Sequence, residues 1–479
     1  MNYKAMFGIL GKTMLMEAAL LFCPLFVGIV YGDNTYLDFL IPIMALMLIG
    51  FPLTCIKTKD KSIYAKEGFV IVSLAWVVLS AVGALPFYIS GEIPSYIDAF
   101  FETVSGFTTT GASILTDVEA MSKGLLLWRS FTHWVGGMGV LVFVMAIIPA
   151  VSDRSIHILR AEAPGPVVGK IVPKMKQTAR ILYIIYIALT LIEMVMLLLG
   201  GMPLYDSFVH AVGTAGTGGF GIKADSLGSY SPYLQWVVTI FMLLFGVNFN
   251  LYYFALIKKF KSAIKNEELL TYGIILVFSI TAITLNIRPL YEGVSESLRH
   301  AAFQVAAIIS TTGFATVDFN QWPGMSKTIL LLLMFVGGCA GSTAGGFKIS
   351  RIVLLFKNIR RELQKSLHPR SVATIKLDGK RVDEKTMNSL GSYLAIYVLF
   401  FCVVVFILGF DAFDLETNIS VAASCVNNIG PGLGSAGPAA SYALFSPFSK
   451  IILSFTMLLG RLEIFPLILT FSPSTWVKK

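Results

Sequence analysis

Four short stretches place a hydroxyl or amide side chain two residues ahead of a glycine. They read "FTTTGAS" (Phe107–Ser113), "GTGGF" (Gly216–Phe220), "STTGF" (Ser310–Phe314) and "NNIGP" (Asn427–Pro431). Without a gap they align on Gly111, Gly219, Gly313 and Gly430, with Thr109, Thr217, Thr311 and Asn428 two positions earlier. Thr110, Gly218, Thr312 and Ile429 stand between, and Ala112, Phe220, Phe314 and Pro431 follow. Six residues before each glycine the side chain is small, at Ser105, Gly213, Ala307 and Ser424. None of these groups is an acid, a base or an activated nucleophile. Their useful chemistry lies in the main chain: a glycine reaches φ values closed to other residues, so neighbouring carbonyls can face one side. Four such turns around an axis offer carbonyl oxygens in place of the hydration shell of a small cation.

The elements that must hold these turns follow from composition. The chain has 479 residues, 56% hydrophobic and 14% charged, against roughly 25% charged in soluble domains. A helix needs about 20 apolar residues to cross the hydrocarbon of a bilayer. Ten stretches qualify, at 8–31, 37–56, 67–90, 125–150, 178–200, 233–257, 269–287, 328–356, 388–410 and 449–471. Each turn lies between an odd span and the next even one, starting at the third, after a helix-length apolar segment: "DAFFETVSGFTTTGA", "DSFVHAVGTAGTGGF", "HAAFQVAAIISTTGF" and "TNISVAASCVNNIGP". Irregular backbone at membrane depth is tolerated only where protein buries it or water lines it. The segments are therefore expected to be short re-entrant helices whose C-terminal, partly negative ends favour a cation. Asp98 and Asp206 stand at the opposite ends, as caps and dipole partners.

The expected architecture is an all-α polytopic membrane protein of ten spans: four pseudo-symmetric span–loop–span repeats around one pore, plus two extra N-terminal helices. The boundaries fall at 1–64 for the N-terminal pair, then 65–152, 153–262, 263–387 and 388–479 for the four repeats. The first span, preceded by Lys4 and containing Lys12, is too long for a secretory signal and is expected to be retained.

Charge sets the orientation. With Met1 inside, the cytoplasmic segments are 57–66, 153–180, 258–268 and 357–387, and 29 of the 37 Lys and Arg residues fall on that side. Both termini then face the cytoplasm. The net charge of +9 is accounted for by topology, without nucleic acid. The five cysteines and five histidines show no metal, disulfide or nucleophile spacing, which argues against an enzyme.

Two further features lie at membrane depth. The eighth stretch contains "GGCAGSTAGG", with Gly337, Gly338, Gly341, Gly345 and Gly346 around Ser342 and Thr343. Each glycine costs a helix roughly 1 kcal/mol relative to alanine, which favours an unwound segment. Gly337, Gly341 and Gly345 also repeat at the spacing that lets helices pack closely, and both readings stand. In the last stretch, "MLLGRLEIFPLI" carries Arg461 and Glu463 among apolar residues, and an intramembrane charge is a functional candidate. Arg461 either faces the cation path as a barrier or pairs with Glu193 of the fifth stretch. Pro466 is expected to kink the same helix.

Together with "RSFTHWVGGMG" (Arg129–Gly139), "GGCAGSTAGGFK" and "GRLEIFP", the four turns resemble the Trk/Ktr/HKT superfamily of cation transporters. The two additional N-terminal spans are similar to its TrkH type. The resemblance implies a potassium selectivity filter at the four glycines and their neighbours, and a gate formed by Gly337–Gly346 with Arg461. It also implies a homodimer in the bacterial cytoplasmic membrane with one pore per subunit. No cofactor is expected in the chain itself; nucleotide belongs to a cytosolic regulatory subunit of the TrkA type, docked on the inner face. The basic segment Lys357–Lys385 is either that docking surface or a topology determinant beside acidic lipids. The fourth turn departs most, through Asn428 and Pro431, which makes the expected filter asymmetric.

The function so read is gated, channel-like potassium uptake. The alternatives are a symporter coupling K⁺ to H⁺ or Na⁺, with Glu17, Glu193 and Glu463 as candidate carboxylates, a Na⁺-permeable relative, and a membrane subunit that does not conduct.

Overall fold

The computed structural model describes residues 1–56, 65–139, 175–371 and 374–476. The inner basic segment 57–66 and the segment 153–180 therefore lie mostly outside the described residues, as does the chain end at Lys478–Lys479.

The described chain is helical apart from one two-stranded hairpin. Helices α1 (Tyr3–Tyr31) and α2 (Tyr36–Thr54) form an N-terminal pair. They cross where a Cβ on Gly11 would stand 2.7 Å from the Gly50 carbonyl, so glycine sets how closely they approach. Next come α3 (Ala65–Gly83), α4 (Tyr96–Phe107) and α5 (Lys123–Gly137), then α6 (Met175–Leu199), α7 (Leu204–Gly216), α8 (Pro232–Phe245) and α9 (Phe249–Leu256). The third group is α10 (Glu267–Ile287), α11 (Val294–Ile309), α12 (Gly324–Val336) and α13 (Ile349–Leu367). The fourth is α14 (Glu384–Leu408), α15 (Leu415–Asn427), α16 (Pro447–Arg461) and α17 (Phe465–Phe471). The order long helix, short helix, turn, medium helix thus recurs four times.

Among the described residues six helices are long and apolar enough to cross a membrane: Tyr3–Tyr31, Tyr36–Thr54, Lys66–Ile89, Gln177–Leu199, Glu267–Leu290 and Glu384–Asp411. The remaining four of the ten apolar stretches are not single helices, a difference from the sequence expectation except at the eighth, where unwinding was one of the two readings. Helix α5 ends at Gly137, and residues 140–174 are outside the described part. Helices α8 and α9 meet at 91° across a three-residue break. The Gly337–Gly346 stretch is unwound, with Gly337, Gly341 and Gly346 at positive φ. The last stretch breaks at Glu463 and Ile464, both at positive φ, and Pro466 begins the next helix rather than kinking one. A Pro near the first helical position costs nothing, because its missing N–H has no partner there in any case.

The short helices start where local chemistry dictates. Ser95 caps α4 by accepting from the Asp98 N–H, while Asp98 itself sits in the first turn and pairs with Lys450 of α16 at 2.7 Å. The cap is thus the serine, and the acid serves the dipole and an ion pair. Asp206 likewise lies in the first turn of α7, where its carboxylate accepts from the Tyr230 phenol at 2.9 Å. Ser231 and Ser446 cap α8 and α16, each with a proline following. Glu193 and Glu17 are buried, with carboxylate oxygens that have no hydrogen-bond partner among the described residues. All five cysteines are free; only Cys339 and Cys425 are fully buried.

Candidate functional site

Each short helix ends in the same local geometry. Thr109, Thr217, Thr311 and Asn428 adopt left-handed backbone with φ of 56°, 55°, 56° and 56°. The next residue closes the turn: N–H groups of Thr110, Gly218, Thr312 and Ile429 donate to carbonyls of Ser105, Gly213, Ala307 and Ser424 at 2.9, 3.1, 2.8 and 3.0 Å. This is the six-to-one bond of a Schellman end, which normally has Gly or Asn at the left-handed position. Asn428, the departure in the sequence alignment, is therefore the comfortable residue. The three threonines each carry left-handed strain of roughly 1–2 kcal/mol, and such strain persists only where surroundings enforce it.

Gly111, Gly219, Gly313 and Gly430 follow at φ of 81°, 73°, 80° and 102°. A side chain at Gly111 would collide with the Gly218 carbonyl, at Gly219 with Thr312, and at Gly313 with Ile429. At Gly430 it would stand 2.7 Å from the Thr110 carbonyl. Each glycine thus faces the carbonyl just before the glycine of the next turn, and the sequence of contacts closes on itself. All four glycines also line one cavity of about 440 Å³. The structure brings the four turns together at one place.

Beyond the turns, the expected gate elements touch them directly. Thr311 Oγ1 accepts from the Gly345 N–H at 2.6 Å, tying the unwound segment to the third turn. Arg461 Nη1 donates to the Thr343 carbonyl at 2.9 Å and lies 3.3 Å from Thr109 Oγ1. Its Nη2 donates to the carbonyls of Gly136 and Gly137 at 2.7 and 2.5 Å. Arg461 therefore clasps the end of α5, the glycine-rich segment and the first turn, while Glu463 pairs with Arg351. Lys348 donates to the Ala344 carbonyl inside the same cluster. Between this segment and α16 lies a small cavity of about 20 Å³, bordered by Gly345, Lys348, Gly460 and Arg461, enough for about one water.

A family model described as TrkH, cation transport protein, matches residues 38–478. The chain belongs to the TrkH family. The Trk system potassium uptake protein TrkH of Salmonella typhimurium is 35% identical over 485 residues, covering 99% of this chain and 100% of that protein. The Trk system potassium uptake protein TrkG of Escherichia coli is 33% identical over 464 residues, covering 95% and 94%. The crystal structure of the potassium transporter TrkH from Vibrio parahaemolyticus has a TM-score of 0.89 at 31% identity and covers 100% of both chains. The chain is thus an integral membrane protein of a transport family, whose relatives are named for uptake rather than catalysis.

The structure of this TrkH-family chain also assigns partners to residues that the sequence left without a role. Glu102 of α4 and Arg129 of α5 form a buried ion pair at 2.5 Å. Glu102 accepts from Ser113 Oγ and the Ile114 N–H, both at 2.9 Å, which holds the exit of the first turn. Arg129 donates to the Gly221 carbonyl at 3.0 Å and stacks on Phe220, which holds the second. His133 bridges the same two turns. The Phe220 N–H can only donate, so His133 Nε2 accepts it at 3.3 Å and Nδ1 donates to the Gly106 carbonyl at 2.7 Å. Arg129 and His133 are four residues apart on one helix face, a spacing visible in "RSFTHWVGGMG". Glu102 gave no such signal. Glu268, at the start of α10, accepts from the N–H groups of Ala340 and Ser350 at 2.7 and 3.0 Å and so grips both sides of the unwound segment.

Proposed function

We propose that this chain conducts K⁺ across the bacterial cytoplasmic membrane, with the four turns as selectivity filter and the unwound segment with Arg461 as gate. The observation that carries this reading is the closed cycle of glycine-to-carbonyl contacts opening on one cavity. Carbonyls around an axis replace the water shell of an alkali ion. An inside-negative potential drives entry at about 2.3 kcal/mol per charge per 100 mV. The names of the relatives, all potassium uptake proteins, support K⁺ as the ion.

In this reading the four groups of helices are the pore repeats, and the positive charge of Arg461 opposes cation passage until the segment moves. The broken second helices of each repeat together with the six long helices make up the ten crossings. The pore works in a homodimer, both termini face the cytoplasm, and a nucleotide-binding subunit acts on the inner face. The naming of the relatives as parts of a Trk system supports a partner.

Rubidium uptake into liposomes containing the purified chain tests the central claim. Uptake is expected to follow an imposed inside-negative potential, to be competed by K⁺ and to be little affected by Na⁺. Uptake that needs a proton or sodium gradient would move the reading to symport, and none at all from folded protein would end it.

A further inference from the structure

The four glycine carbonyls are not equivalent. Gly430 accepts two hydrogen bonds, from Ser424 Oγ at 2.8 Å and from the Tyr442 phenol at 2.7 Å. A carbonyl oxygen has two lone pairs, so this one has no capacity left for an ion. Ser105 stands at the position in the first turn that Ser424 holds in the fourth, yet its hydroxyl has no partner among the described residues. The second and third turns have Gly213 and Ala307 there, which carry no hydroxyl. The backbone differs in the same sense: Gly430 has a φ of 102°, against 73–81° for the other three glycines. Pro431 fixes the following peptide plane, and its Cδ packs 2.8 Å from where a Gly313 side chain would begin. Tyr442 is itself locked, its N–H donating to the Ser113 carbonyl at 2.9 Å and its ring packed against Phe101 and Phe445.

Resting on the filter reading above, we infer that the glycine layer of this filter is a three-carbonyl site. Gly111, Gly219 and Gly313 face the ion, and Ser424 with Tyr442 hold the fourth carbonyl out of its shell. An alkali ion at that layer completes its coordination with water on the fourth side. Ser424 and Tyr442 are then specificity-determining residues, acting through Gly430 without touching the ion. Coordination number is one of the quantities that separates K⁺ from the smaller Na⁺, so withholding one ligand moderates the discrimination the ring can reach.

The test is the Ser424→Ala/Tyr442→Phe double variant in liposomes, which removes both donors and keeps the aromatic packing. A buried carbonyl without a donor is costly, and the ion becomes its available partner. The K⁺/Na⁺ permeability ratio is expected to rise by at least about threefold, with half-saturation at lower K⁺. Tyr442→Phe alone frees one lone pair, is the milder change for folding, and is expected to move both readouts less in the same direction. Ser105→Ala, at the matched position of the first turn, is expected to leave them unmoved. A ratio that stays level or falls in both Tyr442 variants, with wild-type thermal stability, overturns the inference while leaving the filter in place. A wild-type protein whose flux ignores cation identity removes the filter reading and this inference with it.

Discussion

Replacing Arg461 tests the gate most sharply, because its charge and its hydrogen bonds make separate contributions. Nη1 lies 3.3 Å from Thr109 Oγ1, and the repulsion is taken for an ion at about 6 Å from it. At an effective dielectric of about 20, two like charges at that separation repel by about 3 kcal/mol, a factor on the order of 100 in occupancy or rate. The guanidinium also clasps the Thr343, Gly136 and Gly137 carbonyls, which a lysine cannot do with one ammonium. In potential-driven rubidium uptake, Arg461→Ala is expected to raise basal flux by one to two orders of magnitude. Arg461→Lys keeps the charge and loses the clasp, so its flux should lie between wild type and alanine. If the lysine variant matches alanine, the clasp outweighs the field. Alanine-variant flux equal to or below wild type, in protein of unchanged thermal stability, refutes the gate assignment.

Gly111→Ser is expected to weaken discrimination against Na⁺, since a side chain there meets the Gly218 carbonyl at a backbone φ of 81°; the permeability ratio from bi-ionic reversal potentials checks it. Glu102→Gln leaves Arg129 charged and buried without its carboxylate, at a cost of about 3–5 kcal/mol, so the thermal midpoint should fall and selectivity with it. Glu268→Gln weakens the hold on Ala340 and Ser350 and is expected to raise basal rubidium flux without changing the K⁺/Na⁺ ratio. Deleting residues within Gly337–Gly346 should raise flux as well, and a fall in correctly folded protein would count against this segment as the gate.

Part of the candidate site's geometry was legible in the amino-acid sequence. The four turns could be read because a glycine two residues after a hydroxyl or amide side chain, at the end of a short apolar segment, is a local pattern repeated four times. The glycine-rich stretch was ambiguous between unwinding and close packing, because both need small residues; the structure shows it unwound and hydrogen-bonded to Thr311, Gly246 and Glu268. The breaks in the sixth and tenth stretches were not legible. Hydropathy responds to total apolar length, and a break such as that at Glu463–Ile464, with one acid among apolar neighbours, barely changes that sum. The choice between Glu193 and the cation path for Arg461 was likewise open, and the structure directs its hydrogen bonds to carbonyls of two segments, the end of α5 and the glycine-rich stretch.

What the amino-acid sequence determined by itself is therefore whatever depends on near neighbours: apolar length and the recurrence of the glycine-bearing turns. Only the tertiary structure decided which carbonyl each turn presents to the next, that Glu102 and Arg129 brace two of the turns, and that Tyr442 engages the oxygen of Gly430. Those contacts join residues 12 to more than 300 positions apart, and no local preference encodes a direction in space. They arise because four helix ends converge at one place, where every buried donor and acceptor must find a partner among the others or remain open to an ion.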